Sequence, residues 1–553
     1  MVRPPRKSAP PTNALSSPLL ATLIAAFIAA FLTWVLASCS GGARSSSDPT
    51  AQSSQKAVLT RNYDNTRSAV NTQETQLTPN TVTIAHFGKL FSYTVDDAVY
   101  GQPLYVAGLN IAGKGQHNVI FVATENDTVY AFDADHDPGG PLWRTSLVNA
   151  AGNETAVPCD DVQGCFIADK IGVTATPVIS LERNAMYVEA RSKQNGSYLH
   201  KLHALDLTSG AEKFGGPTLI QASVHGSAPD ADANGNLVFN PLRENSRPGL
   251  LLLNGVVYIC FASIDDVEPY HGWVLGYSAD TLKQVSVFNA TPNGMEGGIW
   301  HNNGPAADSN GNIFLVSGNG AAQPSSNNYG HSFLKLTPKG AQLVVADYFT
   351  PFDAADLNDP DLDVGSGGAL LLPDQSGTPH PHLLVAAGKA GKIYLVNRDN
   401  MGKFNPNDDS QIVQSIPSAV GDGTGDDSNF YAPVFWNGNV YFSGNNDVIK
   451  AFSLKNGLLS TTPVMQTTTT IGFPGAGLVI SANGSSGAIL WALDASIGRL
   501  WAYDPGNLSN KLWDSDQSGS DSLQDAMRLN VPLVVNGRVY VTGTSTVTVF
   551  GLK

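Results

Sequence analysis

The stretch VIFVATENDTVYAFD, from Val119 to Asp133, has the pattern of a β-hairpin. An apolar segment leads into a polar turn at Glu125 to Asp127, and a second segment rich in β-branched and aromatic residues ends on Asp133. β-Branched and aromatic side chains suit a pleated strand, while Asn and Asp tolerate the backbone angles of a tight turn. We therefore predict two antiparallel strands here.

The second strand of this hairpin recurs along the chain at a mean spacing of about 60 residues. Its copies end near Phe132, Leu205, Tyr277, Leu336, Val396, Phe452, Tyr503 and Phe550. Regular all-β repetition at such a spacing is typical of propeller blades. The sequence therefore predicts an all-β fold, an eight-bladed β-propeller of four-stranded blades, over residues 61–553.

The two ends of the repeat region predict how the ring closes. A strand at Lys89 to Thr94 precedes the first full repeat, and the last repeat has only three strands before Lys553. An N-terminal strand that completes the last blade would leave no open edge. The preceding segment, Arg61 to Pro79, is expected to be an irregular lead-in packed on the propeller.

The charge pattern excludes one class of partner. Charged residues are 14% of the chain, the formal net charge is −15, and Lys and Arg are scattered. Binding to a phosphate backbone needs a dense basic face, so we expect no nucleic acid as partner.

Residues 1–39 predict an export signal. A basic start and an apolar run over 19–37 are followed by Leu36-Ala37-Ser38-Cys39, which resembles the lipobox of bacterial lipoproteins and implies lipidation of Cys39. The alternative is an uncleaved transmembrane anchor, because the apolar run is long for a signal core.

Residues 40–60 are rich in Ser and Gly and predict a flexible linker. Ser40, rather than Asp, follows the cysteine, which by analogy with Gram-negative sorting favours the outer membrane. We expect a protein anchored by lipid at the cell envelope, on the periplasmic face of the outer membrane or at the cell surface.

Cys159 and Cys165 lie close together in the stretch PCDDVQGC. In an oxidising compartment two such cysteines predict a local disulfide, whereas a metal site would need further ligands. Cys260, inside the strand-like VVYICFA, is expected to be a buried free thiol.

Polar residues directly before the innermost strands are expected to line the mouth of the central channel. The most chemical of these stretches is GGIWHNNGPAAD, from Gly297 to Asp308, which offers an indole face, an imidazole and two amides to a ligand. The alternative is an ordinary turn in which these groups only pack and hydrogen-bond. The candidate ligand-binding residues at the mouth are Arg247, Trp300, His301, Asn302, Asn303, Asp363 and Asn530.

Acidic loops are weaker candidates for a metal site. Asp230, Asp232 and Asn234 match the opening of a calcium loop, but Pro241 stands where the loop would need Glu. Acidic runs at 359–363 and 422–427 fit solvated turns as well as metal ligands.

The stretch Ala204-Leu205-Asp206-Leu207-Thr208-Ser209-Gly210, followed by Phe214, resembles the repeat of pyrroloquinoline-quinone-like propellers, in which a Thr-Gly turn precedes a docking Trp. Looser copies are Ala131-Phe132-Asp133 with Trp143 and Ala502-Tyr503-Asp504 with Trp513. The family includes quinoprotein alcohol dehydrogenases, which hold pyrroloquinoline quinone (PQQ) and Ca²⁺ at the mouth, and a lipid-anchored propeller that binds envelope proteins without quinone. The adjacent cysteine pair of those dehydrogenases is absent here.

Two functions therefore stay open. The first is an exported, lipid-anchored binding or scaffold module without catalysis, whose partner is an envelope protein or a small-molecule ligand. The alternative is a PQQ- and Ca²⁺-dependent dehydrogenase that oxidises an alcohol or sugar at the channel mouth.

Overall fold

A computed structural model describes residues 56–135, 140–163, 168–424 and 427–553. The predicted signal peptide with Cys39, the linker up to residue 55, and Cys165 lie outside these ranges. Within them, no helix has the length and apolar character required to span a membrane.

The described chain is built almost wholly from strands, and most of these form four-stranded antiparallel meanders. From the innermost strand outward, the meanders are Leu104–Ile111, Gly115–Ala123, Thr128–Asp133 and Trp143–Ser146; Val178–Ser180, Ala185–Gln194, Ser197–Asp206 and Thr218–Leu219; Leu251–Leu253, Val256–Ser263, Trp273–Ser278 and Gln284–Asn289; Ala306–Ala307, Ile313–Val316, Phe333–Lys339 and Gln342–Thr350; Leu370–Leu371, Leu383–Ala387, Ile393–Asn397 and Gln414–Ile416; Val434–Trp436, Asn439–Ser443, Ile449–Lys455 and Met465–Gln466; Gly477–Asn483, Ser486–Asp494, Arg499–Asp504 and Asn507–Asp514; and Leu533–Val535, Arg538–Thr542, Thr546–Leu552 and Phe87–Thr94.

Short additional elements decorate these meanders. The extra strands are Ala57–Val58, Val70–Asn71, Glu154–Pro158, Lys170–Ile171, Ser223–His225, Asn236–Val238, Glu244–Asn245, Lys403–Phe404 and Leu458–Leu459, and the 3₁₀ helices are Ala150–Gly152, Cys159–Val162 and Pro324–Ser326. The prediction of an all-β propeller is confirmed. The number of blades stays a prediction, since the third and fourth meanders join in one ten-stranded sheet.

The ring closes as the sequence predicts. Strand Phe87–Thr94 pairs antiparallel with Thr546–Leu552 and so forms the outer strand of the last meander. Phe87 is fully buried there and lies edge-on to Trp513, with ring centroids 4.9 Å apart. The first and last parts of the chain therefore share one sheet and one core.

The repeat motif packs the first blade on the second. Trp143, on the outer strand of the first meander, donates from its indole Nε1 to the carbonyl of Leu207 in the second, at 3.0 Å. Gly210 lies against the same ring, in the left-handed region at φ +71°, and a Cβ there would lie 2.6 Å from an indole carbon. Only glycine fits both the turn and the close approach.

The segment from Lys56 to Glu74, here called the channel segment, packs on the propeller by running along the innermost strands. Val58 pairs with Tyr105, and Val70 pairs in parallel with Ile480. Between these points it accepts hydrogen bonds from the innermost strands, from Ala307 N to Asn65 O at 2.6 Å and from Leu371 N to Thr66 O at 3.1 Å. Innermost strands cannot pair across the axis, so this segment satisfies their free backbone groups. It therefore fills the central channel.

Arg67 is the centre of the channel segment and is fully buried. Its guanidinium donates to the carbonyls of Pro305 at 2.9 Å, Arg61 at 3.0 Å and Leu250 at 3.3 Å, and to the Thr60 hydroxyl at 2.8 Å. Burial lowers the pKa of Arg67 to about 10, which leaves it charged at neutral pH. One side chain thus ties the segment to two blades.

Candidate ligand-binding site at the channel mouth

A cavity of about 390 Å³ opens where the innermost strands begin. Several of its lining residues lie four to seven residues before the innermost strands of separate blades: Tyr100, Arg247, Trp300, Asp363, Phe430 and Leu529. The expectation that residues before the innermost strands line the channel mouth therefore holds for this part of the cavity.

An aromatic cluster forms one side of the cavity. Trp300 is half-buried, and its ring lies 6.2 Å from that of Phe430 at an interplanar angle of 53°. Phe430 in turn meets Phe473 edge-on, with ring centroids 5.2 Å apart. Phe473 is 44% exposed, so the cluster offers apolar surface to a flat ligand.

A cluster of three charged side chains lies next to the Trp300 ring. The Lys389 ammonium is 2.7 Å from Asp361 Oδ2 and 2.8 Å from Asp363 Oδ2. Asp363 Oδ1 also accepts from the backbone N of Asn319 at 2.7 Å and from the Trp300 indole at 3.3 Å. Burial alone would lower the pKa of Lys389, but the two carboxylates outweigh burial and raise it. The ammonium is therefore charged and holds both carboxylates in place.

Arg247 presents a second cation with a different environment. Its guanidinium stacks over the Trp300 ring at 5.7 Å, and across the described ranges it forms no ion pair or hydrogen bond. Arg528 is exposed and also lines the cavity, and it forms no ion pair with any residue that the structure describes. The Arg247 guanidinium over the indole favours an anionic ligand that carries a flat ring, while Asp265 and Asp266, which also line the cavity, limit how much negative charge that ligand can bring.

Four predicted mouth residues do not line this cavity. His301 is fully buried, with its Nδ1 2.9 Å from Asn303 Oδ1, and burial lowers its pKa to about 4. Asn302 donates to Leu529 O at 2.8 Å, and Asn303 donates to Ala369 O at 3.0 Å. Asn530 is buried and accepts from Arg61 at 3.1 Å. These side chains support the strands and the channel segment.

Many residues that line the cavity were not among the predicted ligand residues; they include Lys389, Phe430, Phe473 and Arg528, and the carboxylates Asp265, Asp266 and Asp361. Phe430 and Phe473 also lie shortly before innermost strands. The same expectation would have found them if it had included apolar residues as well as polar ones. Lys389 follows the second strand of its meander at a turn, and nothing in the repeat distinguishes it.

The predicted calcium loop forms an ordinary turn. Asp232 Oδ1 accepts from the backbone N of Asn234 and of Asn236, each at 2.8 Å, while Asp230 Oδ1 lies 3.2 Å from His271 Nε2. No group of three or more His, Cys, Asp or Glu residues within the described ranges is arranged to hold a metal ion. A metal at Asp230, Asp232 and Asn234 stays a prediction without a supporting contact.

The two cysteine predictions stand differently. Cys260 is a buried free thiol, as predicted, and burial raises its pKa to about 12. The disulfide between Cys159 and Cys165 stays a prediction because Cys165 is outside the described residues.

Glu296, whose backbone N donates to the carbonyl of the cavity residue Tyr270, makes the stability of the fold depend on pH. Burial and the nearby Glu268 carboxylate raise the pKa of Glu296 to about 7. A carboxyl with a raised pKa makes the fold more stable at low pH, and this contribution is lost as pH rises from about 4.5 towards 7. We expect Glu296→Gln to become more stable than the wild type, on the order of 1 kcal/mol after solvent screening, as pH rises from 5 to 8.

Chemical unfolding at several pH values measures this difference. Glu182→Gln is the matched control, because Glu182 is 84% exposed and paired with Arg183 on the surface. A stability difference between Glu296→Gln and wild type that does not change with pH contradicts the assignment.

Comparisons with known proteins agree on the fold. No protein-family model and no curated protein matches the chain. Among solved structures, the chain is similar to the quinohemoprotein alcohol dehydrogenase of Comamonas testosteroni, with a TM-score of 0.59 and 15% identity over 90% of this chain and 80% of the other. The quinohemoprotein alcohol dehydrogenase ADHIIG of Pseudomonas putida HK5 gives the same values. A europium-containing methanol dehydrogenase has a TM-score of 0.57 and 13% identity over 90% of this chain and 98% of the other.

These similarities define the class of fold. At such low identity they show architecture alone, which is the quinoprotein-like β-propeller predicted from the repeats. Cofactor, substrate and partner have to be argued from the residues of this chain.

Proposed function

We propose that the protein is an exported, lipid-anchored binding module of the cell envelope, and that its mouth cavity takes a small organic anion with a flat ring. The observation that carries this proposal is the Lys389 ammonium between Asp361 and Asp363. Its positive charge offsets one of the two carboxylate charges and so weakens their repulsion of an anion. The attachment through Cys39 is the sequence-based part of the proposal.

The remaining charges and surfaces favour this ligand class. Arg247 lies over the half-buried Trp300 and forms no ion pair within the described ranges, although Asp265 and Asp266 line the same cavity. Phe473 extends the apolar surface. A ligand carboxylate at Arg247 would form a charge-assisted pair in a partly desolvated place, while its ring packs on the indole. Such an arrangement binds and orients a ligand without any reacting group.

The quinone and the calcium ion of the related fold fit this site differently. The ring and carboxylates of PQQ fit the Trp300 face and the Arg247 guanidinium. A Ca²⁺ ion does not fit beside Asp361 and Asp363, because the Lys389 ammonium lies within 2.8 Å of both carboxylates. No catalytic step through a metal follows from these residues.

A quinoprotein dehydrogenase is the second candidate function. The similar fold and the Trp300 and Arg247 pair favour it, since bound PQQ would supply a two-electron acceptor for an alcohol or sugar. The Asp363 carboxylate accepts from the Trp300 indole at 3.3 Å, and it would have to leave Lys389 to accept a proton.

Titration of the full chain with PQQ and with naphthalene-2,6-dicarboxylate, in EDTA, tests the proposal. We expect saturable quenching of tryptophan fluorescence, and affinities weaker by about tenfold or more in Arg247→Gln and Trp300→Leu. Arg144→Gln, which removes the same charge from a side chain 53% exposed elsewhere, is the control.

The outcomes separate the two functions. Binding without reduction of an artificial dye in the presence of alcohols and sugars supports the binding module, and dye reduction at turnover supports the dehydrogenase. If neither probe binds, the small-ligand proposal is wrong, and an envelope protein captured by crosslinking through the mouth loops becomes the partner to identify.

A further inference from the structure

A second cavity, of about 630 Å³, lies at the end of the channel opposite the mouth and is here called the far-end cavity. Its lining residues 308–310, 370–374 and 435–437 belong to the ends of the innermost strands Ala306–Ala307, Leu370–Leu371 and Val434–Trp436 or directly follow them. The mouth cavity lies where such strands begin, and the two cavities share no lining residue. A cavity of this volume is large enough for a small-molecule ligand.

The channel segment forms one wall of the far-end cavity. Every second residue from Asp64 to Thr72 lines the cavity, while Arg67 and Ala69 between them are buried. Three of these five lining side chains carry a hydroxyl group, and they are Thr66, Ser68 and Thr72. A hydroxyl can both donate and accept a hydrogen bond. This alternation therefore gives the segment a buried side towards the blades and a polar side towards the cavity.

Arg398 lines the far-end cavity with donors that the protein leaves unused. The residue is only 8% exposed. Within the described ranges its guanidinium makes two long contacts, from Nη2 to the Leu372 carbonyl at 3.4 Å and to Asp374 Oδ1 at 3.5 Å, and its Nε has no hydrogen-bond partner. A guanidinium carries five N–H donors, and burying them unpaired is costly. Arg398 therefore has donors available for a ligand.

Lys335 is a second cation in the wall of this cavity. Its ammonium donates to the Arg398 carbonyl at 3.0 Å, and it forms no ion pair with any residue that the structure describes. An ammonium has three N–H donors, so this contact leaves others for a ligand.

The carboxylates of the far-end cavity limit the charge that its ligand can carry. Four of them line it, and they are Asp64, Asp308, Asp374 and Asp399. The first two accept from donors of their own turns. The side chains of Asp374 and Asp399 are 65% and 54% exposed and can accept further hydrogen bonds. Because the carboxylates outnumber the two cations, an anion is disfavoured, and the cations in turn disfavour a cationic ligand.

We propose that the far-end cavity binds a neutral saccharide. Its hydroxyl groups accept from Arg398 and Lys335 and donate to Asp374 and Asp399, because each sugar hydroxyl is both donor and acceptor. Trp436 is half-buried and lines the same cavity, so it offers aromatic surface to the apolar face of a pyranose ring. The site goes beyond the proposed function, and neither depends on the other.

Calorimetric titration of the full chain with glucose, galactose, mannose, N-acetylglucosamine and cellobiose tests the site. We expect saturable binding of at least one of these sugars, in the millimolar range or tighter. Asp374→Ala and Trp436→Leu should each weaken the affinity by about tenfold. Asp280→Ala should keep the affinity and is the matched control, because Asp280 is 60% exposed and is likewise paired with an arginine. Trp300→Leu, which changes the mouth cavity, should keep it as well.

Two results overturn the proposal. One is the absence of saccharide binding by the wild type, whether or not spermidine or citrate binds instead. The other is saccharide binding that survives Asp374→Ala but is lost in Trp300→Leu, which places the sugar at the mouth. Thermal unfolding shows whether each variant is folded, and Asp374→Ala, at an exposed position, decides the question if Trp436→Leu does not fold. Since PQQ and naphthalene-2,6-dicarboxylate report on the mouth, failure of this site and failure of the proposed function give different results.

Discussion

Arg67→Ala should lower the free energy of unfolding by about 4 kcal/mol, the scale expected when a buried, fully hydrogen-bonded charged group is removed. The substitution leaves the carbonyls of Pro305 and Arg61 without their donor, leaves Leu250 O only the Thr60 hydroxyl at 3.4 Å, and opens a void on the channel axis. Each carbonyl lies in a place that water reaches poorly, so its desolvation is uncompensated. Equilibrium unfolding in urea, followed by tryptophan fluorescence, measures the loss.

Two further variants interpret this result. Arg67→Lys keeps the charge but cannot reproduce the four contacts of a planar guanidinium, so its loss should be smaller and still large. Arg144→Ala removes an arginine whose side chain is 53% exposed and should change stability by less than about 1 kcal/mol. Equal small effects for Arg67 and Arg144 contradict the assignment of Arg67 as the anchor of the channel segment.

Lys389→Met is expected to cost about 3 kcal/mol at neutral pH, because it leaves Asp363 buried without its counter-charge. Asp363 is only 4% exposed and also fixes the Trp300 indole and the Asn319 backbone, so the mouth should rearrange with it. Denaturant unfolding gives the stability loss, and titration with PQQ gives the effect on ligand affinity.

The double variant Lys389→Met with Asp363→Asn separates charge from packing. Removing the orphaned carboxylate should recover a large part of the lost stability, since the uncompensated charge is then gone. Lys403→Met, which removes a lysine 51% exposed and paired with Asp347, is the surface control. If the double variant is no more stable than Lys389→Met, packing rather than charge holds this site.

Local patterns in the sequence predict the strands well. Val119 to Asp133 forms the predicted hairpin. The strand Phe87–Thr94 completes the last sheet, as expected from a last repeat that has only three strands before Lys553. Alternation and turn chemistry act over a few residues, so they are visible in one sequence.

The channel segment and the mouth depend on contacts between distant residues. Arg67 contacts Pro305, which is 238 positions away in the sequence. Lys389 contacts Asp363 although the two residues lie on different loops of the same blade. Arg247, Trp300 and Asp363 do line the mouth, since their place before innermost strands repeats with the blades. His301 does not, because a repeat indicates where the backbone starts a strand but not which way one imidazole turns.

The channel segment also bears on the order in which the protein can reach its native state. Lys56 Nζ contacts Asn536 Oδ1 at a sequence separation of 480, and Glu74 accepts from Gly537 N at a separation of 463. Contacts of such length form only after nearly the whole polypeptide has been made, and they slow the search for the folded state. The channel segment, which is synthesised before the blades, can therefore reach its native contacts only after the last blade has been made. Once it is enclosed, its release requires the ring to open, so the finished protein should persist through a high barrier to unfolding.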